Sequence, residues 1–483
     1  MTTDNATIPE PAMQSLIAGA LSEQQARDIV ALGPEAAVFV ILELSKQLAE
    51  QRAKTAAESH QTPGTPSGMK PPYQKPPPKS RKRRPGAKKG HAGARRETPE
   101  RIDKRVEHRA KCCPDCGGRL KRCQQTRTRH TEDIPEIQPE TTEHTIHRDW
   151  CPKCQKQVEP TVPDALPNCT LGNRVLVLSA WLHYALGNTL SQIVEVFNFH
   201  LQMKITPGGL VQMWYRLQTI LYAWYETIQQ EALQSAVLHA DESGWRVNGK
   251  THWLWCFTTP DLTYYMIHRS RGSPALMEFF VKEFAGILVS DFWGAYNAVC
   301  CALRQTCLVH LLRELEHTEK YKSPGEHWPV FAKKLRRLIG DAIRLWRRKA
   351  ELSEETYASR RDRLSARLQQ LIDTPWEDAN AKRLLKRLRR HQNELFTFLD
   401  HPEVPFENNA AERAIRPAVI IRKNSYGNRS EHGADCQSVL MSIFRTLKQR
   451  GHDPIRTIVS ALTIYLTTRK LPSLPEPKTT SHG

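Results

Sequence analysis

Three acidic residues have the types and settings that could do chemistry. Asp241 closes the apolar run Ala236-Val237-Leu238-His239-Ala240, and Asp291 closes Ile287-Leu288-Val289-Ser290. Glu412 lies in Asn408-Asn409-Ala410-Ala411-Glu412-Arg413, which reads as the opening of a helix. Short apolar runs bounded by turn signals read as buried strands. Each aspartate is therefore expected at a strand end on the sheet rim, held rigidly yet open to a substrate. Asn408 and Glu412, four residues apart, are expected to share a helix face. Three carboxylates meeting at one point could hold two divalent ions about 4 Å apart and drive in-line phosphoryl chemistry. A lone Asp at a strand end is more often a turn former. It is the ordered set, on a basic chain, that points to a site.

The chain has 483 residues, 39% of them hydrophobic, and a formal net charge of +19. That length suits two to four domains. The charge favours a polyanionic partner, because each neutralised phosphate releases counterions. Twelve cysteines in so long a chain do not make a disulfide scaffold. No secretory signal is expected at the N-terminus, which carries Asp4 and Glu10. The most apolar stretch, Val175 to Leu186, is interrupted by His183 and too short to span a bilayer. A soluble cytoplasmic protein with no membrane partner is the expectation.

The elements that must position the carboxylates follow from composition. Residues 1–58 are expected to be helical, with Val38, Ile41, Leu42, Leu44 and Leu48 on one face. A short coiled coil and an ordinary amphipathic helix both fit that pattern. Residues 59–105 form a basic, proline-rich arm expected to be disordered. Its Ser59 to Arg96 part has eight prolines, eleven Lys or Arg and no acidic residue. The centre of the arm, Arg81, Lys82, Arg83, Arg84, Lys88 and Lys89, is suited to a DNA backbone; a solvated linker is the alternative. Residues 106–165 carry a cysteine module. Residues 166–232 are helical, and Leu190–Phe197 with Thr206–Leu217 make a candidate helix-turn-helix, with plain helical core as the rival. Thr206 is the expected N-cap and Pro207 the first helical residue.

Residues 233–312 change to strand character. Runs at Ala236–Ala240, His252–Thr258, Thr263–His268 and Gly286–Ser290 are separated by turn signals and by a helix from Ser273 to about Glu283. A fifth run is expected at Thr306–Val309. Together they predict an α/β sheet with mixed pairing. Residues 313–400 are helical and dense in Arg and Lys, either a solvated surface or a clamp on DNA. Residues 401–470 hold the Glu412 helix and the helices after it, and 471–483 are an expected disordered tail.

Cys113-Pro-Asp-Cys116 and Cys151-Pro-Lys-Cys154 are two Cys-x-x-Cys knuckles with 34 residues between them. This is the spacing of a four-thiolate zinc ribbon with a closed, structural site. Cys112, Cys123, His144 and His147 are competing ligands. Trp150 with Arg119, Lys121, Arg122 and Arg127 gives the ribbon a surface suited to DNA. Cys307 and His310, spaced Cys-x-x-His, lack the two further ligands that a metal needs and read as a buried pair supporting the core.

In this order, the motifs resemble a bacterial DDE transposase of the insertion-sequence sixty-six family. The resemblance rests on Arg83-Arg84-Pro-Gly-Ala-Lys88-Lys89-Gly-His91, the cysteine knuckles and Asp241-Glu-Ser-Gly-Trp245. It continues in Ser290-Asp291-Phe-Trp-Gly-Ala-Tyr296, Cys307-x-x-His310 and Asn408-Asn409-Ala-Ala-Glu412-Arg413-Ala-Ile-Arg416-Pro417. It covers roughly residues 80–465. It implies a ribonuclease H-like catalytic core with a helical insertion before Glu412, beside the zinc ribbon and the helical N-terminal regions. It also implies a triad of Asp241, Asp291 and Glu412 holding two Mg2+ ions, with Mn2+ able to substitute, and Arg413 and Arg416 on phosphate. The expected partners are DNA, both transposon ends and target, a second copy of the chain on that DNA, and accessory transposition proteins. The expected place is the bacterial cytoplasm, on the nucleoid. Where the family has Asp before the Asn pair this chain has Glu407, but Glu412 is in register with the motif. A catalytically inactive DNA-binding regulator and a hydrolysis-only nuclease of the same fold are the rival readings.

Overall fold

The computed structural model describes residues 22–34, 37, 38, 40, 98–121, 125–322 and 324–478. The six basic residues expected to form the centre of the arm, and Arg122 and Cys123, lie outside them. The chain divides into two compact units. One comprises residues 1–70, 229–246 and 250–416, the other 71–228, 247–249 and 417–483.

In the N-terminal region, α1 (Glu23–Ala31) is closed by a capping box in which Ser22 and Gln25 satisfy each other. The cysteine module holds a short antiparallel hairpin of β1 (Asp149–Cys151) and β2 (Lys156–Val158). It is followed by α2 (Asn173–Tyr184), α3 (Leu190–Glu195) and α4 (Pro207–Leu233). Thr189 caps α3 with a capping box, and a π-helical turn, Val196–His200, extends it. Thr206 Oγ1 accepts from Gly209 N at 3.2 Å at the start of α4.

The unit that carries the three carboxylates is built on a mixed five-stranded sheet of order β5-β4-β3-β6-β7. Its strands are β3 (Val237–Val247), β4 (Lys250–Thr258), β5 (Thr263–His268), β6 (Phe284–Ser290) and β7 (Cys301–Thr306). Between β3 and β4 the chain reverses through Asn248 and Gly249, both at positive φ, 47° and 73°. β4 pairs antiparallel with β5, whereas β6 runs parallel to both β3 and β7. Helix α5 (Ser273–Phe279) supplies the crossover and stacks Phe279 on Phe257 of β4, ring centroids 3.7 Å apart.

Helices α6 (Leu308–Tyr321), α7 (Trp328–Arg347), α8 (Glu354–Asp373), α9 (Ala379–Arg390) and α10 (Thr397–Asp400) follow. Their apolar faces share one core with the sheet: Val289 of β6 packs with Leu311, Leu315, Phe331, Leu335, Leu368, Leu384 and Phe398. In amphipathic α9, Leu384, Leu385 and Leu388 are buried while Lys382, Lys386 and Arg390 are exposed. Arg383 and Arg387 turn inward to buried Glu314 of α6, one on each carboxylate oxygen. Then come α11 (Asn409–Ser425), α12 (Glu431–Gln449) and α13 (Pro454–Thr468). Among the described residues no helix is long and apolar enough to cross a membrane.

Three expected boundaries move. β3 continues six residues past Asp241, so that residue sits within a strand. α5 ends at Phe279 instead of about Glu283, and the edge strand β7 precedes Thr306 instead of following it. The register of β6 depends on Gly286, where a Cβ would lie 2.9 Å from the Ala236 carbonyl oxygen. Gly286→Ala should therefore destabilise the chain by about 1–3 kcal/mol, the usual cost of overpacking. Urea denaturation checks this, and an unchanged midpoint would contradict the register.

Candidate active site

The parallel ladder of β3 and β6 pairs Val237 with Ile287, Leu238 with Leu288 and His239 with Val289. The paired ladder ends there, and Asp241 and Asp291 each lie two residues beyond its last pair. The two carboxylates lie within electrostatic reach of each other. Each is fixed locally. Asp241 Oδ1 accepts from Glu242 N at 2.9 Å, and Asp291 Oδ1 accepts from Trp293 N at 2.8 Å.

Glu412 is delivered from the first turn of α11. Its N–H donates to the carbonyl of Asn408 at 3.1 Å. Asn408 is buried in front of the helix, and its amide turns toward β3 instead of sharing a helix face with Glu412. Nδ2 donates to the Ala240 carbonyl at 2.7 Å, next to Asp241, and Oδ1 lies 3.0 Å from His239 Nδ1. That orientation of the amide requires His239 Nδ1 to carry the hydrogen. The Asn408 N–H donates to Cys307 Sγ at 3.3 Å, and Cys307 N donates to the Ser290 carbonyl at 2.9 Å. A second tie comes from the Tyr265 hydroxyl, which donates to the Ala414 carbonyl. On the open side, Glu412 Oε1 accepts from Arg313 Nη1 at 3.1 Å.

Cys307 thus acts as an acceptor within the fold, and burial pushes its thiol up to about 11. His310, one turn into α6, is held below the usual histidine range by burial, with Asp291 and Glu412 within its electrostatic reach.

The electrostatics are those of crowded acids. The Asp241 carboxyl is pushed well above the usual carboxylate range, first by burial, then by the charges of Glu242, Asp291 and Glu412. Glu242 is pushed up to about 7, by burial and then by Asp291. Arg271 opposes the shift, donating from Nε at 3.1 Å and Nη2 at 2.9 Å to Glu242 Oε1, while Tyr296 Oη donates to Oε2 at 2.8 Å. The guanidinium of Arg271 is held between the rings of Trp253, 4.6 Å away, and Trp293, 3.9 Å away. Trp293 Nε1 closes this clamp on the Arg271 carbonyl at 2.9 Å. Sequence reasoning gave Glu242, Arg271, Trp293 and Tyr296 no role. The only signal was that Glu242 adjoins Asp241, and that Trp293 and Tyr296 follow Asp291 in the same motif.

In the cysteine module each knuckle is formed. Gly117 N donates to the Cys113 carbonyl at 2.9 Å and Cys113 N to the Gly118 carbonyl at 3.0 Å. Cys154 N donates to Cys151 Sγ at 3.4 Å. Backbone N–H groups hold the thiols of Cys113 and Cys151 below their ordinary value, which favours the thiolate that zinc requires. His144 is engaged with Asp164 at 3.2 Å. Trp150, Arg119, Lys121 and Arg127 are exposed, as are Arg413 and Arg416 on α11. Among the described residues, no three or more His, Cys, Asp or Glu side chains are gathered closely enough to hold a metal ion. The chemistry of both donor sets still fits one: hard carboxylate oxygens repelling one another in the first, thiols aimed at by N–H groups in the second.

The family model described as "Transposase IS66 family" matches residues 168–436, and that described as "zinc-finger binding domain of transposase IS66" matches residues 110–155. Two proteins of Sinorhizobium fredii are similar, both described as uncharacterized. One, y4qI, is 25% identical over 253 residues, covering 45% of this chain and 44% of its own. The other, y4jO, is 35% identical over 80 residues, covering 17% of this chain and 24% of its own. The chain spans less than half the length of these curated relatives.

The raised acids make a prediction. Asp241 and Glu242 bind protons more tightly in the folded chain than in the unfolded one. Their charged forms therefore cost nothing below about pH 4, and the penalty grows as pH rises through the displaced values. Asp241→Asn should raise the melting temperature in metal-free buffer at about pH 8. The gain should shrink toward about pH 5. Differential scanning calorimetry at the two values checks it, and a destabilised variant at the higher pH would contradict the crowding.

Proposed function

The chain belongs to the IS66 transposase family, and from that premise we propose that it binds transposon ends and catalyses DNA cleavage and strand transfer through Asp241, Asp291 and Glu412. The observation that carries this reading is the parallel pairing of β3 and β6, which makes neighbours of the two aspartate-bearing segments, with Asn408 tying the Glu412 helix to β3. A ribonuclease H-like core is supported by the mixed sheet flanked by helices and by the helical segment between Asp291 and Glu412.

A pair of Mg2+ ions, or Mn2+, supplies when bound the Lewis-acid charge that both the attacking and the leaving oxygen need. Asp241 and Asp291 offer oxygens from the sheet, and Glu412 offers them from the helix. Arg313 has to exchange Glu412 for a phosphate as the site fills. Arg413 and Arg416, exposed beside Glu412, hold the DNA backbone. In the first step water attacks a phosphodiester at the transposon end. The bond from phosphorus to the 3′ oxygen breaks, leaving a 3′-hydroxyl and a 5′-phosphate. In the second step that hydroxyl attacks a target phosphodiester, loses its proton as the new bond forms, and expels the target's 3′ oxygen. Neither step consumes ATP or forms a protein–DNA bond.

Cys113, Cys116, Cys151 and Cys154 close around one structural Zn2+ in this reading, and the 59–105 arm tracks the DNA backbone. The chain works as an oligomer on DNA, with accessory transposition proteins, in the bacterial cytoplasm.

Two outcomes are expected. Asp291→Ala should lower cleavage and strand transfer of end-bearing DNA by about a hundredfold or more, with binding retained. Gel assays with Mg2+ check this. Cleavage without joined products would favour a hydrolysis-only nuclease, and binding without cleavage by the unaltered chain an inactive regulator. Strong chelation should release one zinc per chain and unfold residues 106–165, because such a site contributes on the order of 10 kcal/mol to a small module. Metal analysis and circular dichroism read it, and a zinc-free chain with an intact module would overturn the ribbon.

A further inference from the structure

Helix α11 ends at Ser425, and Tyr426 takes the next position with φ +61°. Its N–H closes the helix by donating to the Arg422 carbonyl at 2.8 Å. This left-handed position ordinarily goes to Gly or Asn, because a Cβ there crowds the backbone. A tyrosine is strained in it, and burial gives no return, since the side chain is 83% exposed. The turn is nevertheless held firmly. Asn424 Nδ2 donates to the Gly187 carbonyl at 2.8 Å, Asn428 Nδ2 to the Gly433 carbonyl at 3.0 Å, and Asn248 N to the Asn428 carbonyl at 2.9 Å. Strain kept at an over-determined, exposed residue is a mark of use.

The charge around it names the ligand. Residues 413–430 contain Arg413, Arg416, Arg422, Lys423 and Arg429 and no carboxylate. Lys423 and Arg429, on either side of the ring in sequence, are exposed. An exposed aromatic ring flanked in sequence by exposed cations suits a polyanion that has flat faces of its own. In a duplex those faces are hidden, so the matching group is an unpaired base. We propose that Tyr426 is a base-stacking residue: its ring stacks on an unpaired nucleotide of the bound DNA while Lys423 and Arg429 take the flanking phosphates. This rests on the DNA reading above and adds the substrate feature that this turn selects.

The strain provides a clean test, because Tyr426→Gly removes the ring and relieves the backbone at once. Full-length protein is titrated into a fluorescein-labelled duplex with a single-stranded 3′ overhang, and into a blunt duplex of the same sequence. Tyr426→Gly should melt no lower than the unaltered chain and bind the overhang about tenfold more weakly, with blunt-duplex affinity unchanged. Tyr426→Phe should bind both as the unaltered chain does. Equal overhang binding by the Gly variant, equal losses on both DNAs, or a lower melting temperature would each overturn the stacking role. If the unaltered chain binds neither DNA, the DNA reading itself falls.

Discussion

Asn408 satisfies four backbone or side-chain groups at once: the Ala240 carbonyl, the His239 ring, the Cys307 sulfur and the Glu412 N–H. Each belongs to a segment that carries or adjoins one of the three acids. A buried amide with all its partners in place is worth more as a constraint than as a source of stability, because leaving any partner unpaired costs about 1–3 kcal/mol. Its geometry therefore fixes how α11 meets β3. The Tyr265 hydroxyl on the Ala414 carbonyl is a further polar tie between that helix and the sheet. The two aspartates are carried by adjoining segments of the paired strands β3 and β6.

That arrangement stores repulsion. Three carboxylates and Glu242 share one region, and the folded chain tolerates them by raising the proton affinity of Asp241 and Glu242 and by countering Glu242 with Arg271 and Tyr296. The Arg271 clamp reaches Trp293, two residues after Asp291, so it braces both aspartate-bearing segments from behind. The helical insertion adds support from the other side. Arg387 is held by Glu314 and lies 5.3 Å from the Phe292 ring, next to Asp291, while the core of the insertion is continuous with β6. The insertion is thus part of the frame that carries the site.

Much of this frame was legible in the sequence. The runs ending at Asp241 and Asp291 are apolar because their strands are central, and the Thr263–His268 run coincides with β5. Glu242-Ser243-Gly244 has the composition of a turn, which hides the second half of β3 from a local reading. Its burial depends on Arg271, 29 residues away, which no local pattern reveals. β7 is an edge strand without an apolar signature, since Ala302 and Leu303 face solvent and Arg304 interrupts the run. The role of the Asn408 amide is hidden from any local pattern, since its partners on β3 lie 168 and 169 residues earlier. The two cysteine knuckles were plain from spacing.

The central claim is that Asp241, Asp291 and Glu412 share one cation site. Diffraction from crystals soaked in Mn2+, recorded at the manganese absorption edge, addresses it directly. Anomalous density is expected between these three side chains, with Arg313 displaced from Glu412. Density confined to other carboxylates, or bound Mn2+ that leaves Glu412 on Arg313, would contradict it.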